Sequence, residues 1–154
     1  MLKYLPRDKT IWCPFDEEWS AFYQSLKENG FNVIRSSLAE GQDFFTYEPD
    51  EWDLIVSNPP FSLKDEVLKR LYEFNKPFAI LLPMNSLQGK DRFEYFKNGV
   101  QLLSFSGRIA YHTDFNLKTY KKGTAFASAY FCRGLLPSDL IIEELVEYKR
   151  PLRG

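Results

Sequence analysis

The chain has 154 residues, 44% hydrophobic and 17% aromatic, with 20 Lys/Arg against 21 Asp/Glu and a formal net charge of −1. That length suits one domain, 1–154, with a single sizeable core, and the aromatic content argues against disorder. No apolar run approaches the ~20 residues of a membrane span, and no charged-then-apolar leader suggests secretion. Cys13 and Cys132 lie far apart in apolar, strand-like segments, which reads as buried reduced thiols of a cytoplasmic protein. One histidine and no Cys/His cluster predict no metal site.

Met1 to Lys9 reads as an irregular surface arm. Thr10–Cys13 is the first apolar strand, closed by Pro14-Phe15. Asp16 reads as the N-cap of a helix whose apolar face is Trp19, Phe22, Tyr23 and Leu26, spaced i, i+3, i+4, i+7. Asn29-Gly30 stops it, and Phe31–Ile34 is the second strand. Strand, helix, strand in this order opens a doubly wound α/β domain. Gly41-Gln42-Asp43-Phe44-Phe45 follows, read as a short strand or turn with at least one phenylalanine in the core.

Asp53-Leu54-Ile55-Val56 is the next strand, and it runs directly into Ser57-Asn58-Pro59-Pro60-Phe61. Two consecutive prolines lock φ and remove two donors, so the backbone there is stiff and its carbonyls point elsewhere. Ser62 then reads as an N-cap, with Leu63, Val67, Leu71 and Phe74 the buried stripe of a second helix. Pro77–Pro83 is another apolar strand, and its closing Pro83-Met84-Asn85-Ser86 lies on the same sheet edge as Asn58. Lys90–Asn98 reads as a third helix with Phe93 and Phe96 inward. Val100–Tyr111 is one bent strand or two, and Ala125–Cys132 a last strand in a hairpin with Arg108–Tyr111. Leu140-Ile141-Ile142 extends the sheet edge.

A polar amide, rigid carbonyls and an aromatic ring at a strand's carboxyl end make a receptor for a planar group bearing an NH₂. Ordinary strand-ending turns use the same residues, but the flanking strand and helix favour the receptor. Asn58-Pro59-Pro60-Phe61 resembles the motif of S-adenosylmethionine-dependent adenine-N6 methyltransferases, and Cys13-Pro14-Phe15-Asp16 resembles the turn of small phage-type members. The resemblance implies a three-layer, Rossmann-like class I methyltransferase fold, with a mostly parallel sheet and an antiparallel C-terminal hairpin. It implies S-adenosylmethionine as cofactor and catalytic roles for Asn58, Pro59, Pro60 and Phe61: the first two accept hydrogen bonds from the target amine, and Phe61 stacks on a flipped-out base.

For the cofactor the resemblance implies Cys13, Pro14, Phe15 and Asp16 at the first strand–helix turn, Ser36 near a ribose hydroxyl, Asp43 at the adenine amine and Phe44 on its ring. Two departures from the family pattern stand out. The first turn has no glycine, and Arg35-Ser36-Ser37 occupies the place where an acid often binds the ribose, Glu40 being the nearest later one. Lys118, Tyr120, Lys121 and Lys122, in a polar loop ending at Gly123, suit phosphate contact with a stacking ring; a solvated loop is the alternative. Residues 1–60 carry five Lys/Arg and eleven Asp/Glu and residues 61–154 carry fifteen and ten, which suits a cationic cofactor and an anionic nucleic acid respectively. DNA is the expected substrate before RNA. An inactive binding module of the same fold, or an enzyme acting on guanine or a protein amide, remains the alternative, and an oligomer or protein partner is left open.

Overall fold

The computed structural model describes residues 1–108 and 127–145. Its elements are β1 (Thr10–Cys13), α1 (Ala21–Glu28), β2 (Asn32–Arg35), β3 (Leu54–Ser57), α2 (Lys64–Phe74), β4 (Phe78–Pro83), α3 (Phe93–Phe96), β5 (Gln101–Phe105), β6 (Ser128–Arg133) and β7 (Leu140–Glu143). All seven strands join one sheet in the order β2-β1-β3-β4-β6-β5-β7. Pairs β1–β2, β1–β3, β3–β4 and β5–β7 are parallel. β6 alone runs antiparallel to both its neighbours, β4 and β5. This is the mostly parallel, Rossmann-like sheet expected.

β5 and β6 form the expected antiparallel C-terminal hairpin, with β6 also inserted beside β4 inside the sheet; the expected pairing with Arg108–Tyr111 falls, from residue 109 on, outside the described residues. β6 pairs along all of β4, from Phe78↔Arg133 to Pro83↔Ser128, and with Gln101–Leu103 of β5 on its other side. Both faces of β6 are covered, so its run Ala129-Tyr130-Phe131-Cys132 is continuously apolar. β7 extends the edge as expected, alongside β5.

Strand alternation sorts the core into two layers. Ile11, Cys13, Leu54, Val56, Ala79, Leu81, Tyr130 and Cys132 face one side, under Leu26 and Phe22 of α1. Trp12, Ile55, Phe78, Ile80, Leu82 and Phe131 face the other, under Val67, Leu68 and Leu71 of α2 and Tyr95 and Phe96 of α3. The three layers follow from this parity.

Several local expectations are corrected. α1 starts at Ala21 after Ser20, not after Asp16, and Trp19 is 50% exposed, outside its apolar face. The Ser20 hydroxyl instead accepts the Glu17 N–H at 2.9 Å, closing a turn ahead of the helix. Ser62 lies within a 3-10 turn (Phe61–Leu63), and α2 begins at Lys64 with no side-chain cap. The third helix is a single turn: Phe93 is 62% exposed, while Phe96 stacks on Phe131 at 5.7 Å. The arm at the amino end is packed, since Met1 and Leu2 lie on the α1-side core around buried Leu5.

Candidate functional site

β1, β2, β3 and β4 are parallel, so their carboxyl ends share one edge of the sheet. From β1 the chain crosses to β2 on one side and later returns to β3 on the other. A crevice opens at such a switch point because the two connections diverge. Here it is a cleft of about 510 Å³, within the usual size of small-molecule sites. Phe15 and Glu17 from the β1–α1 turn, Ser37, Leu38 and Ala39 after β2, and Asn58, Pro59, Pro60 and Phe61 after β3 line it.

Asn58 to Phe61 enter this cleft together. Pro59 is buried, Phe61 half-buried, and Asn58 and Pro60 exposed. The Pro60 carbonyl accepts the Leu63 N–H at 3.0 Å, which folds the chain into the 3-10 turn leading to α2. Among the described residues neither the Pro59 carbonyl nor the Asn58 side-chain amide has a hydrogen-bond partner. Among the described residues, then, nothing engages these two acceptors, which sit on a backbone stiffened by two prolines.

The β1–α1 turn contributes unevenly. Phe15 lines the cleft, whereas Cys13 and Pro14 lie buried beneath it. Asp16 is 5% exposed, between two lining residues, and its Oδ2 has no partner. Burial raises its pKa to about 6, opposed by hydrogen bonds from Cys13 and Ser20. Burial, then the nearby Asp16 carboxylate, pushes the Cys13 thiol well up. Cys13 is therefore no nucleophile.

After β2, the two serines separate. Ser36 is fully buried and its Oγ accepts the Trp12 indole N–H at 2.9 Å. Ser37 lines the cleft and its Oγ is unpaired. Arg35 lies between the two walls: its Nε donates to Glu18 Oε2 at 2.9 Å and its Nη1 to Glu40 Oε1 at 2.8 Å.

Asp43 and Phe44 do not line the cleft. Asp43 Oδ1 accepts the Phe45 N–H at 3.0 Å, and its carbonyl accepts the N–H groups of Thr46 and Tyr47, forming a turn. Phe44 is 2% exposed in an aromatic cluster, with Phe15 at 5.0 Å, Phe45 at 5.4 Å and Trp12 at 5.6 Å. It therefore supports the Phe15 ring from behind. Lys118, Tyr120, Lys121, Lys122 and His112 fall outside the described residues. Among those described, no His/Cys/Asp/Glu group is placed to hold a metal ion, and no helix is long and apolar enough to cross a membrane.

Sequence reasoning did not single out Ser37, Leu38 and Ala39. The signal was there in part: with Ser36 committed to the core side of an extended segment, its neighbour must face the other way. The lining as a whole combines apolar walls (Phe15, Leu38, Ala39, Phe61) with a few polar groups (Glu17, Ser37, Asn58). Apolar walls with a few polar groups, the Glu17 carboxylate among them, fit an adenosyl group bearing a cationic sulfonium.

Comparison with known proteins places the chain in a family. Residues 49–129 match the model of the family described as adenine-specific methyltransferase EcoRI, a span containing Asn58–Phe61 and β3, α2 and β4. The chain is 34% identical over 85 residues to the type II methyltransferase M.EcoRI of Escherichia coli, covering 49% of this chain and 26% of that protein. It thus spans about a quarter of the length of that relative. Among solved structures, the tRNA (m1A58) methyltransferase TrmI of Aquifex aeolicus aligns with a TM-score of 0.46 and 15% identity, over 89% of this chain and 66% of that one. With the matched segment covering more than half of its length, the chain belongs to the adenine-specific methyltransferase EcoRI family.

Proposed function

We propose that this protein transfers a methyl group to the N6 amine of adenine in DNA, using the family's methyl donor, S-adenosylmethionine. The observation that carries this reading is the cleft itself. It brings Asn58, Pro59 and Phe61 against Phe15, Glu17 and Ser37, residues far apart in the chain.

When bound, S-adenosylmethionine supplies an already activated methyl group on a cationic sulfur. The chain's own residues then have an alignment task. The Asn58 Oδ1 and the Pro59 carbonyl accept the two N–H bonds of the amine, which turns its lone pair out of conjugation and toward the donor side of the cleft. Phe61 offers a ring face for the base, and Phe15 and Leu38 keep water from the apolar wall. Held in the cleft beside Phe15, Glu17 and Leu38, the donor would supply its methyl to that nitrogen at the expense of its own carbon–sulfur bond, and the extra amine proton would leave to water. Holding reactants in this geometry suffices for much of the rate, without a strong base.

The test is methyl transfer from labelled S-adenosylmethionine to duplex DNA, RNA and protein, read by mass spectrometry of nucleosides and tryptic peptides. N6-methyldeoxyadenosine should appear with the wild type. Asn58→Ala should lower the rate by about 100-fold or more, comparable to loss of one positioned polar group at a reacting centre, with an unchanged circular dichroism spectrum. Unimpaired transfer by Asn58→Ala would sink this mechanism. Product confined to the RNA or protein arm would replace DNA as the substrate.

A further inference from the structure

Seven large apolar side chains are exposed among the described residues, and four of them stand at the sheet edge that carries the cleft. They fall one to each connection leaving β1 to β4: Trp19 before α1 (50% exposed), Leu38 after β2 (74%), Leu63 before α2 (37%) and Leu87 before α3 (41%). Exposed apolar residues scattered singly need no explanation. Here every connection around one cleft presents one, a pattern that marks a contact surface.

The members of this crown are held in place. The Trp19 indole N–H donates to Glu17 Oε2 at 2.7 Å, and Glu17 lines the cleft. Glu17 is fixed in turn: its N–H donates to Ser20 Oγ at 2.9 Å, and its carbonyl accepts the Ser20 N–H at 3.0 Å. The polar tip of the indole is thus satisfied while its ring stays half open to solvent beside the cleft. Leu38 lines the cleft directly and opens the 3-10 turn Leu38–Glu40. Leu63 and Leu87 each end a 3-10 turn, Phe61–Leu63 and Met84–Leu87. Apolar groups already positioned lose little entropy when a ligand covers them.

Charge on the rim indicates what covers them. Glu17, Glu18 and Glu40 lie on the two connections that carry Trp19 and Leu38, and Arg35 is already paired with Glu18 and Glu40. Acids repel phosphate from this end of the cleft. A duplex keeps its bases inside and would set its phosphates against these acids. An unpaired strand turns its bases to the apolar crown and its phosphates away.

We propose that the crown receives unpaired bases flanking the target adenine, so that the substrate is taken as a single or locally opened DNA strand. The proposal rests on the methyl-transfer reading above and adds the form of the substrate and the residues that select it. Trp19 stacks on one flanking base, and the leucines cover its neighbours. Every base has a π-face, so this contact tolerates any sequence.

Fluorescence anisotropy of the full chain with S-adenosylhomocysteine tests it, using one labelled oligonucleotide of mixed sequence as a single strand and as a perfect duplex. The wild type should bind the single strand about tenfold or more tighter, because the duplex must first unstack and unpair. Trp19→Ala should weaken single-strand binding by about fivefold or more, the lower end for one base–aromatic stack, and Trp19→Phe should recover much of the loss. The slope of log affinity against log salt should be that of the wild type in Trp19→Ala, since no phosphate contact is lost. Leu38→Ala and Leu87→Ala should each lose less. Leu140→Ala, also exposed but at the amino end of β7 and so at the opposite edge of the sheet, should match the wild type. Melting temperatures should change little, because each of these side chains is exposed. Duplex bound as tightly as single strand, or Trp19→Ala binding like the wild type, would overturn the proposal and leave the methyl-transfer reading standing. Self-association lost in the crown variants, with nucleic-acid binding intact, would assign the crown to a second copy of the chain and overturn it likewise. Failure of the wild type to bind any nucleic acid would overturn both.

Discussion

Asp16 shows how one buried carboxylate couples the β1–α1 turn to pH. Its pKa rises from 3.8 to about 6, chiefly because burial disfavours the charged form. The folded state therefore prefers a proton that the unfolded chain releases near pH 4. Stability from this group is complete below that point and is lost as pH rises through about 6. Asp16→Asn keeps an acceptor for Ser20 and Cys13 but carries no charge. It should match the wild type at pH 4 and exceed it at pH 8 by up to about 3 kcal/mol, measured by urea denaturation at both values. A stability difference that does not grow with pH would contradict the assignment. The same residue illustrates what composition alone misreads. An acid followed by Glu17-Glu18 resembles a helix cap, yet burial between Phe15 and Glu17 gives it a different environment.

At the scale of elements, the link from β4 to α3 is held against α2 by one side chain. Arg92 donates from Nη1 to Asp65 Oδ1 at 2.9 Å, from Nε to the Ser86 carbonyl at 2.6 Å and from Nη2 to the Gln88 carbonyl at 2.8 Å. Asp65 stands four residues after Phe61, so Arg92 fixes the chain after β4 to the chain after the Asn-Pro-Pro-Phe turn. Gly89 makes room for this, because a Cβ there would lie 2.3 Å from Arg92 Nη2. Gly89→Ala should displace the guanidinium and cost about 1–2 kcal/mol, the worth of lost charged hydrogen bonds partly screened at the surface. Arg92→Ala should cost a similar amount, and the double variant little more than either, since both remove the same clamp. Additive losses in urea melts would show that the two residues act separately. None of this is readable from periodicity. Lys90–Asn98 has the spacing of an amphipathic helix, but with Arg92 bonded twice to the preceding segment and once to α2 only one helical turn forms, with Phe93 facing out.

Across the whole molecule, the sheet's order decides where the site stands. β6 joins β4 and β5, whose shared direction it reverses, and Phe131 at its centre is fully buried against Phe96. Phe131→Ala should lower stability by about 3–5 kcal/mol through lost burial and a residual cavity, read as a shifted urea midpoint with an unchanged m-value. A small shift would mean that the core closes over the gap. What the amino-acid sequence determined by itself was local: the Thr10–Cys13 strand exactly as found, the apolar strands before Asn58 and Met84, and a stiff turn whose two prolines can do little else. Those signals are legible because β-branched runs and proline act within a few residues. Tertiary structure alone decided the insertion of β6 inside the sheet, the late start of α1, and which of two adjacent serines reached the cleft. Each depends on what packs opposite — Trp12 against Ser36, β4 against β6 — and such partners lie tens of residues away, where no local pattern can register them.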